Sequence, residues 1–239
     1  PFESAIVKRR AKNIIELYQN KKNLEIRLKE REETIREQEK AIRMNNEFMI
    51  DALGSVVEFR SVETGDHVKR IKYLTRILLK YLAKYFPKYG LTPAQIDQIA
   101  RASALHDVGK IGIPDSILLK PGRLTPEEFE IMKTHTTIGC EILESFKPQY
   151  EDEFYKYCYE ICRYHHERAD GRGYPDHLAG DDIPISAQIV SIADVYEALV
   201  SERVYKTAYS NSEAYEMILN GECGQFSEDV IECFKLAKE

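Results

Sequence analysis

Leu124-Thr125-Pro126-Glu127-Glu128-Phe129 opens the clearest helix in the chain, because Thr125 and Glu128 stand at capping-box spacing and Pro126 occupies the first turn. Its apolar side continues through Met132, His135 and Ile142, so one unbroken helix is predicted across these positions. The same periodicity recurs on both sides, at about 64–86, 93–107, 151–166, 185–200, 211–220 and 227–237. No stretch alternates as a half-buried strand does, and the fold class is therefore all-α. The segments Gly109–Gly122 and Asp170–Pro184, punctuated by Gly and Pro, become long loops, and loops of that length often carry function.

Upstream the character changes. Residues 2–53 contain neither Gly nor Pro, and 14 of the 24 residues from 20 to 43 are charged, eight basic and six acidic. Val7, Ile14, Leu28, Ile35, Ile42 and Met49 form an apolar line at heptad spacing, interrupted by Lys21, with Leu17 and Leu24 beside it. A second line fails at Arg31, Gln38 and Asn45. A helix of about 50 residues is about 75 Å long and cannot bury such a stripe on itself, so a parallel coiled-coil homodimer through residues 1–48 is expected, ahead of a domain at 49–239.

The chain has 239 residues, 34 Lys and Arg against 40 Asp and Glu, a net charge of −6 and 43% hydrophobic residues. This composition excludes a disordered chain and argues against binding a nucleic-acid polymer, which needs clustered basic residues. No apolar run reaches the length of a membrane span and the start lacks a signal-peptide pattern, so a cytoplasmic location without membrane contact is expected. Five scattered cysteines (Cys140, Cys158, Cys162, Cys223 and Cys233) without paired CxxC spacing suggest reduced thiols.

Six histidines occur, and five fall on apolar faces: His67, His106, His135, His165 and His166, with His177 in a loop. Asp107 follows His106 directly, Glu63 precedes His67 by one turn, and Asp194 ends the apolar stretch Ile189-Val190-Ser191-Ile192-Ala193. Any one of these alone reads best as a hydrogen-bonded core residue. Together they would be expensive to bury without a compensating cation, and a metal cluster supplies one. Imidazole and carboxylate ligands without thiolate suit iron or manganese, and zinc fits less well. Because neighbours on a helix diverge by about 100°, His165 and His166 are expected to reach different ions.

The motifs that carry these residues are His106-Asp107-Val108-Gly109-Lys110 and His165-His166-Glu167-Arg168-Ala169-Asp170-Gly171-Arg172-Gly173-Tyr174-Pro175, preceded by Glu63-Thr64-Gly65-Asp66-His67-Val68-Lys69-Arg70. In this order they resemble the HD-GYP branch of the HD-domain phosphohydrolases, over about residues 54–220. The resemblance implies an HD-type helical bundle behind the long N-terminal helix, holding two or three iron or manganese ions. It implies hydrolysis of cyclic di-GMP to pGpG and possibly GMP, by a hydroxide bridging a bi- or trinuclear site.

The ligand set implied by the resemblance is Glu63, His67, His106, Asp107, His135, His165, His166 and Asp194, with Asp107 bridging two ions and Glu63 adding a third. Lys110 corresponds to a catalytic lysine beside the scissile phosphate, Arg203 and Lys206 to residues that bind substrate phosphates, and Tyr174 to a wall of the substrate pocket. The chain departs from the family at Glu197-Ala198-Leu199-Val200, Arg203-Val204-Tyr205 and Cys223-Gly224-Gln225-Phe226-Ser227-Glu228. These departures leave the ligands intact and bear on substrate affinity and turnover, so a catalytically weak cyclic-dinucleotide sensor acting through a partner protein is the alternative. The start, Pro1-Phe2-Glu3 with Arg9-Arg10-Ala11-Lys12-Asn13-Ile14-Ile15-Glu16-Leu17-Tyr18, resembles the last helix of a response-regulator receiver domain, which would then lie N-terminal in the full-length protein.

Overall fold

The structure, a computed structural model, describes residues 4–61, 66–146, 152–202 and 208–238. Glu63, Arg203 and Lys206 lie outside the described residues. Ten α-helices are described: α1 (Ser4–Arg60), α2 (His67–Tyr85), α3 (Pro93–Ala102), α4 (Asp115–Leu118), α5 (Pro126–Lys133), α6 (His135–Glu144), α7 (Glu153–Tyr164), α8 (Ile185–Val200), α9 (Asn211–Leu219) and α10 (Glu228–Leu236). Among the described residues there is no strand, only an isolated bridge between Asp170 and Ala179, and the all-α expectation holds. None of the described helices is long and apolar enough to cross a membrane.

The chain divides into two compact units, Pro1–Phe48 and Met49–Glu239. In the first, the heptad line is exposed to solvent, with Ile14 at 66% and Leu28 at 64%. In the second, α8 is the central element: every residue from Ser186 to Ala193 is buried, as expected of a helix that is apolar nearly all round. Ile71, Leu79 and Leu82 of α2, Ile99 of α3 and Ile161 of α7 join Ile189 and Ile192 in the core, each fully buried. Each such side chain contributes about 1.5–3 kcal/mol. α9 and α10 add Ala214, Ile218, Val230 and Cys233 to the same cluster.

Three local departures from the sequence expectations shape the site. First, α1 does not stop at Gly54 but runs on to Arg60; a side chain at Gly54 would meet the Ala104 carbonyl oxygen at 2.5 Å, and glycine allows the helix to approach that closely. Second, the helix expected over 93–107 ends at Ala102 and tightens into 3₁₀ turns at Ser103–Leu105 and Val108–Gly112. The Ser103 hydroxyl donates to the Ala100 carbonyl, and the Ser103 carbonyl accepts from the His106 ring, so these side chains compete for helix carbonyls.

Third, the helix that starts at Thr125 is two helices, broken at Thr134. The Thr134 hydroxyl donates to Ile131 O and the His135 ring donates Nδ1–H to Met132 O, taking carbonyls that a continuous helix would use. Gly109 occupies the space beside this break: an added Cβ would lie 1.8 Å from His135 O and 2.5 Å from Gly139 N.

Candidate metal centre

Two clusters of side chains converge beneath the loops. Asp107, His135, His165 and His166 each offer one ligand atom, all within 4.8 Å of one another, and His67, His106 and Asp194 do the same. His67 comes from the start of α2, Asp194 from α8, His135 from the start of α6, and His106–Asp107 from the turn after α3. Metal–ligand bonds of about 2.0–2.2 Å put the ligands of one ion up to about 4.4 Å apart, so clusters within 4.8 Å come close to the dimensions of an ion site.

Asp107 lies between the clusters. Its Oδ2 is 3.2 Å from His106 Nε2, and its Oδ1 is 3.2 Å from His135 Nε2 and 3.7 Å from His165 Nε2. On the other side, Asp194 Oδ1 is 3.8 Å from His67 Nε2 and 3.9 Å from His106 Nε2.

The histidine tautomers follow from their outer partners. Nδ1 of His106, His135 and His165 contacts the carbonyl oxygens of Ser103, Met132 and Ile161 at 2.9, 2.8 and 2.8 Å. A carbonyl only accepts, so each Nδ1 carries hydrogen and the neutral ring turns the lone pair of Nε2 inward. His106, His135 and His165 Nε2 and Asp107 Oδ1 are buried with no hydrogen-bond partner. Buried lone pairs facing a carboxylate are costly until a cation lies among them, and the residues present therefore fit a metal.

The local electrostatics agree. Burial opposes a charged His106, yet the Asp107 carboxylate outweighs it and raises the ring's pKa to about 9; the carboxylate that draws a proton to this ring would draw a metal cation in its place. Burial lowers His135 to about 4, against the pull of Asp107. Burial also takes His166 well below its ordinary value, helped by His165 and His135. Burial would raise the Asp107 carboxyl, but Lys110 and His106 hold it well below the carboxylate range.

His165 and His166 do not diverge toward different ions as helical neighbours would. α7 ends at Tyr164, so the pair lies beyond the helix, and both rings join the Asp107–His135 cluster with centroids 4.0 Å apart. Tyr174 stacks on His166 at 4.7 Å, and Phe129, 46% exposed, meets Tyr174 edge-on at 6.2 Å. Lys110 Nζ lies 2.6 Å from Asp107 Oδ2.

The departures at 197 and 223–228 have structural positions. Glu197, 1% exposed, accepts from His67 Nδ1, from Arg70 and from the Ser201 hydroxyl, so the change at this position reaches the ring of an expected ligand rather than only the substrate side. Burial would raise its carboxyl, but the His67 hydrogen bond brings it down to about 2. Phe226 lies under the Arg168 guanidinium at 5.4 Å, and Gln225 O accepts from Ala169 N, which braces the segment after His166.

Glu58 is a carboxylate that the sequence reading missed. It is 2% exposed and its Oε1 lies 3.6 Å from His67 Nε2. The available signal was its standing as the only charge between Ala52 and Phe59.

The family pattern described as HD domain matches residues 62–225. The chain belongs to the HD-domain family. Among curated relatives of this HD domain, a cyclic di-GMP phosphodiesterase of Vibrio cholerae serotype O1 is 42% identical over 201 residues, covering 83% of this chain and 41% of the relative. A 3′3′-cGAMP-specific phosphodiesterase 2 of the same organism is 40% identical over 191 residues, covering 80% of this chain and 34% of the relative.

The chain spans about half the length of the curated relatives it matches. The solved structure of Bd1817, an HDG"Y"P protein from Bdellovibrio bacteriovorus, superposes with a TM-score of 0.54 at 19% identity, covering 80% of this chain and 63% of that one. That likeness concerns the fold, and it agrees with the HD-GYP resemblance read from the motifs.

Proposed function

We propose that this chain is the catalytic part of a metal-dependent phosphodiesterase that opens cyclic di-GMP to linear pGpG. The observation that carries the reading is Asp107, whose two carboxylate oxygens face histidines of different clusters. The names and identities of the curated relatives support the substrate class.

Asp107, His135, His165 and His166 would hold one ion and His67, His106 and Asp194, with Asp107, a second, with Glu63 assigned by resemblance to a third. The donor set suits iron or manganese. Bound there, the ions supply an activated water and neutralise charge on the phosphodiester. Lys110 Nζ, beside Asp107, stabilises the negative charge that grows on the phosphate oxygens during attack. The oxygen of water forms a bond to phosphorus, the bond to the 3′ oxygen breaks, and that oxygen leaves as a hydroxyl with a proton from the water. Tyr174 and Phe129 offer aromatic surface to a nucleobase, and Arg203 and Lys206 are assigned to the substrate phosphates.

The near-equal identity to a relative named for 3′3′-cGAMP favours a second reading, in which the mixed cyclic dinucleotide is the substrate. Residues 1–48 act as a dimerising signalling helix, supported by their exposed apolar line; the resemblance of residues 1–18 to a receiver-domain tail is what supports a receiver domain N-terminal to it, in a cytoplasmic protein. The test is incubation of anaerobically purified, metal-loaded protein with each cyclic dinucleotide, with chromatographic separation of products. Formation of pGpG supports the proposal. Tight binding without product over hours would replace it with the sensor reading.

A further inference from the structure

Arg60, the last residue of α1, commits its whole guanidinium to the loop that follows the His106–Asp107 pair. Nη1 donates to the carbonyl oxygens of Lys110 and Ile111 at 2.9 and 2.7 Å. Nη2 donates to the Ile113 carbonyl and to Asp115 Oδ1, both at 2.7 Å, and Nε donates to the same Oδ1 at 3.1 Å. Three main-chain carbonyls within four residues thus accept from one cation, and such charge-assisted bonds are stronger and more directional than neutral ones.

The same loop also packs against α6, with Gly109 beside the His135 carbonyl and Gly112 beside Ile138, and Arg60 adds a polar hold on its carbonyls. Its 3₁₀ turn is closed by Lys110 N to Asp107 O and Ile113 N to Lys110 O, at 2.9 and 3.1 Å. Ile113 and Ile117 anchor it from below, whereas Ile111 is 54% exposed and Gly112 is exposed. Water could satisfy carbonyls this close to the surface, so the gain from Arg60 lies in where it puts them rather than in rescuing buried polar groups. Lys110 is the first of the residues it grips. The lysine's stem is long and flexible, so a backbone held in one place narrows the positions its Nζ can take beside Asp107 Oδ2.

We propose that Arg60 is a positioning residue for Lys110, fixing the backbone of residues 110–113 so that the ammonium stands over Asp107 where a phosphodiester would react. The inference rests on the reading of Lys110 as the group that faces the scissile phosphate. A displacement of about 1 Å at such a group can cost about 100-fold in rate, so the expected effect is large.

The test uses the metal-loaded chain with Arg60→Ala, Arg60→Lys, Asp115→Asn and Lys110→Ala, and the pair Arg60→Ala with Lys110→Ala. Arg60→Ala should lower kcat at least tenfold with KM within about threefold and metal content unchanged, and Arg60→Lys should recover part of the loss. In the Lys110→Ala background, Arg60→Ala should add nothing, because its effect passes through Lys110. Equal losses in both backgrounds, loss of metal, or unchanged kcat would overturn the inference.

Should Arg60→Ala fail to fold, Asp115→Asn, which disturbs two of the five bonds at an exposed carboxylate, should lower kcat several-fold only when Lys110 is present; a wild-type kcat would overturn it. A second readout is independent of turnover. Lys110 should react faster with acetic anhydride in Arg60→Ala than in wild type, measured by mass spectrometry, and equal rates would overturn the inference. If the wild type opens no cyclic dinucleotide, the functional reading fails, while the acetylation rates still report on the positioning.

Discussion

Lys110 holds its Nζ 2.6 Å from Oδ2 of Asp107, the residue three places before it in the chain. The same oxygen lies 3.2 Å from His106 Nε2, so the ammonium joins Asp107 on the side of the His67–His106–Asp194 cluster and leaves Oδ1 facing His135. The carboxylate and the lysine are adjacent, yet the account gives them different work, and substitution should separate them. Asp107→Ala should lose bound metal and turnover together. Lys110→Ala should keep its metal and lose about 100-fold or more in kcat. Elemental analysis beside steady-state kinetics checks both.

Glu197 orients His67 through Nδ1, and outer partners of this kind affect metal affinity by about 10–100-fold. Glu197→Gln should therefore weaken the ion of the His67–His106–Asp194 cluster while leaving that of the Asp107–His135–His165–His166 cluster in place. Metal titration followed by calorimetry would read this as one binding phase weakened about 10–100-fold with the other unchanged. Parallel weakening of both phases would remove Glu197 from that role.

Gly109 leaves no space for a side chain against the His135 carbonyl. Gly109→Ala should destabilise the chain by about 3 kcal/mol or more, a fall of roughly 6–12 °C in Tm for a protein of this size. Thermal unfolding with and without metal measures it, and an unchanged Tm would show that the close approach of Gly109 to α6 is unimportant.

Much of this architecture was legible beforehand because it rests on local signals. The capping box at Thr125 and the near-continuous apolar run of α8 announce their helices in sequence. The histidines and Asp107 stood out because buried polar residues in that number demand compensation. What sequence could not provide was competition for carbonyls: the Thr134 hydroxyl and the His135 ring take carbonyls at the break, and Gly109, 25 residues upstream of Thr134, packs beside it. The shared cluster of His165 and His166 likewise depends on α7 ending one residue earlier than the pair, and helix ends are poorly encoded. Glu58 escaped, and Glu197 was noted only as a departure without its hold on His67, because His67 lies nine residues from one and 130 from the other.

The exposed line through Ile14, Leu28 and Ile42 leads to an expectation about assembly. The full chain should be a dimer at micromolar concentration, and a chain beginning at Met49 should be monomeric and still bind metal. Light scattering distinguishes the states, and a monomeric full chain would contradict the coiled-coil proposal.

The central claim is that Asp107 is shared by two ion sites that act together on a phosphodiester. The most direct measurement is pGpG formation followed against iron or manganese bound per chain during anaerobic reconstitution. The account predicts that turnover stays near zero through the first equivalent and rises as the second is bound. Full activity at one ion per chain, or in protein that binds only zinc, would contradict it.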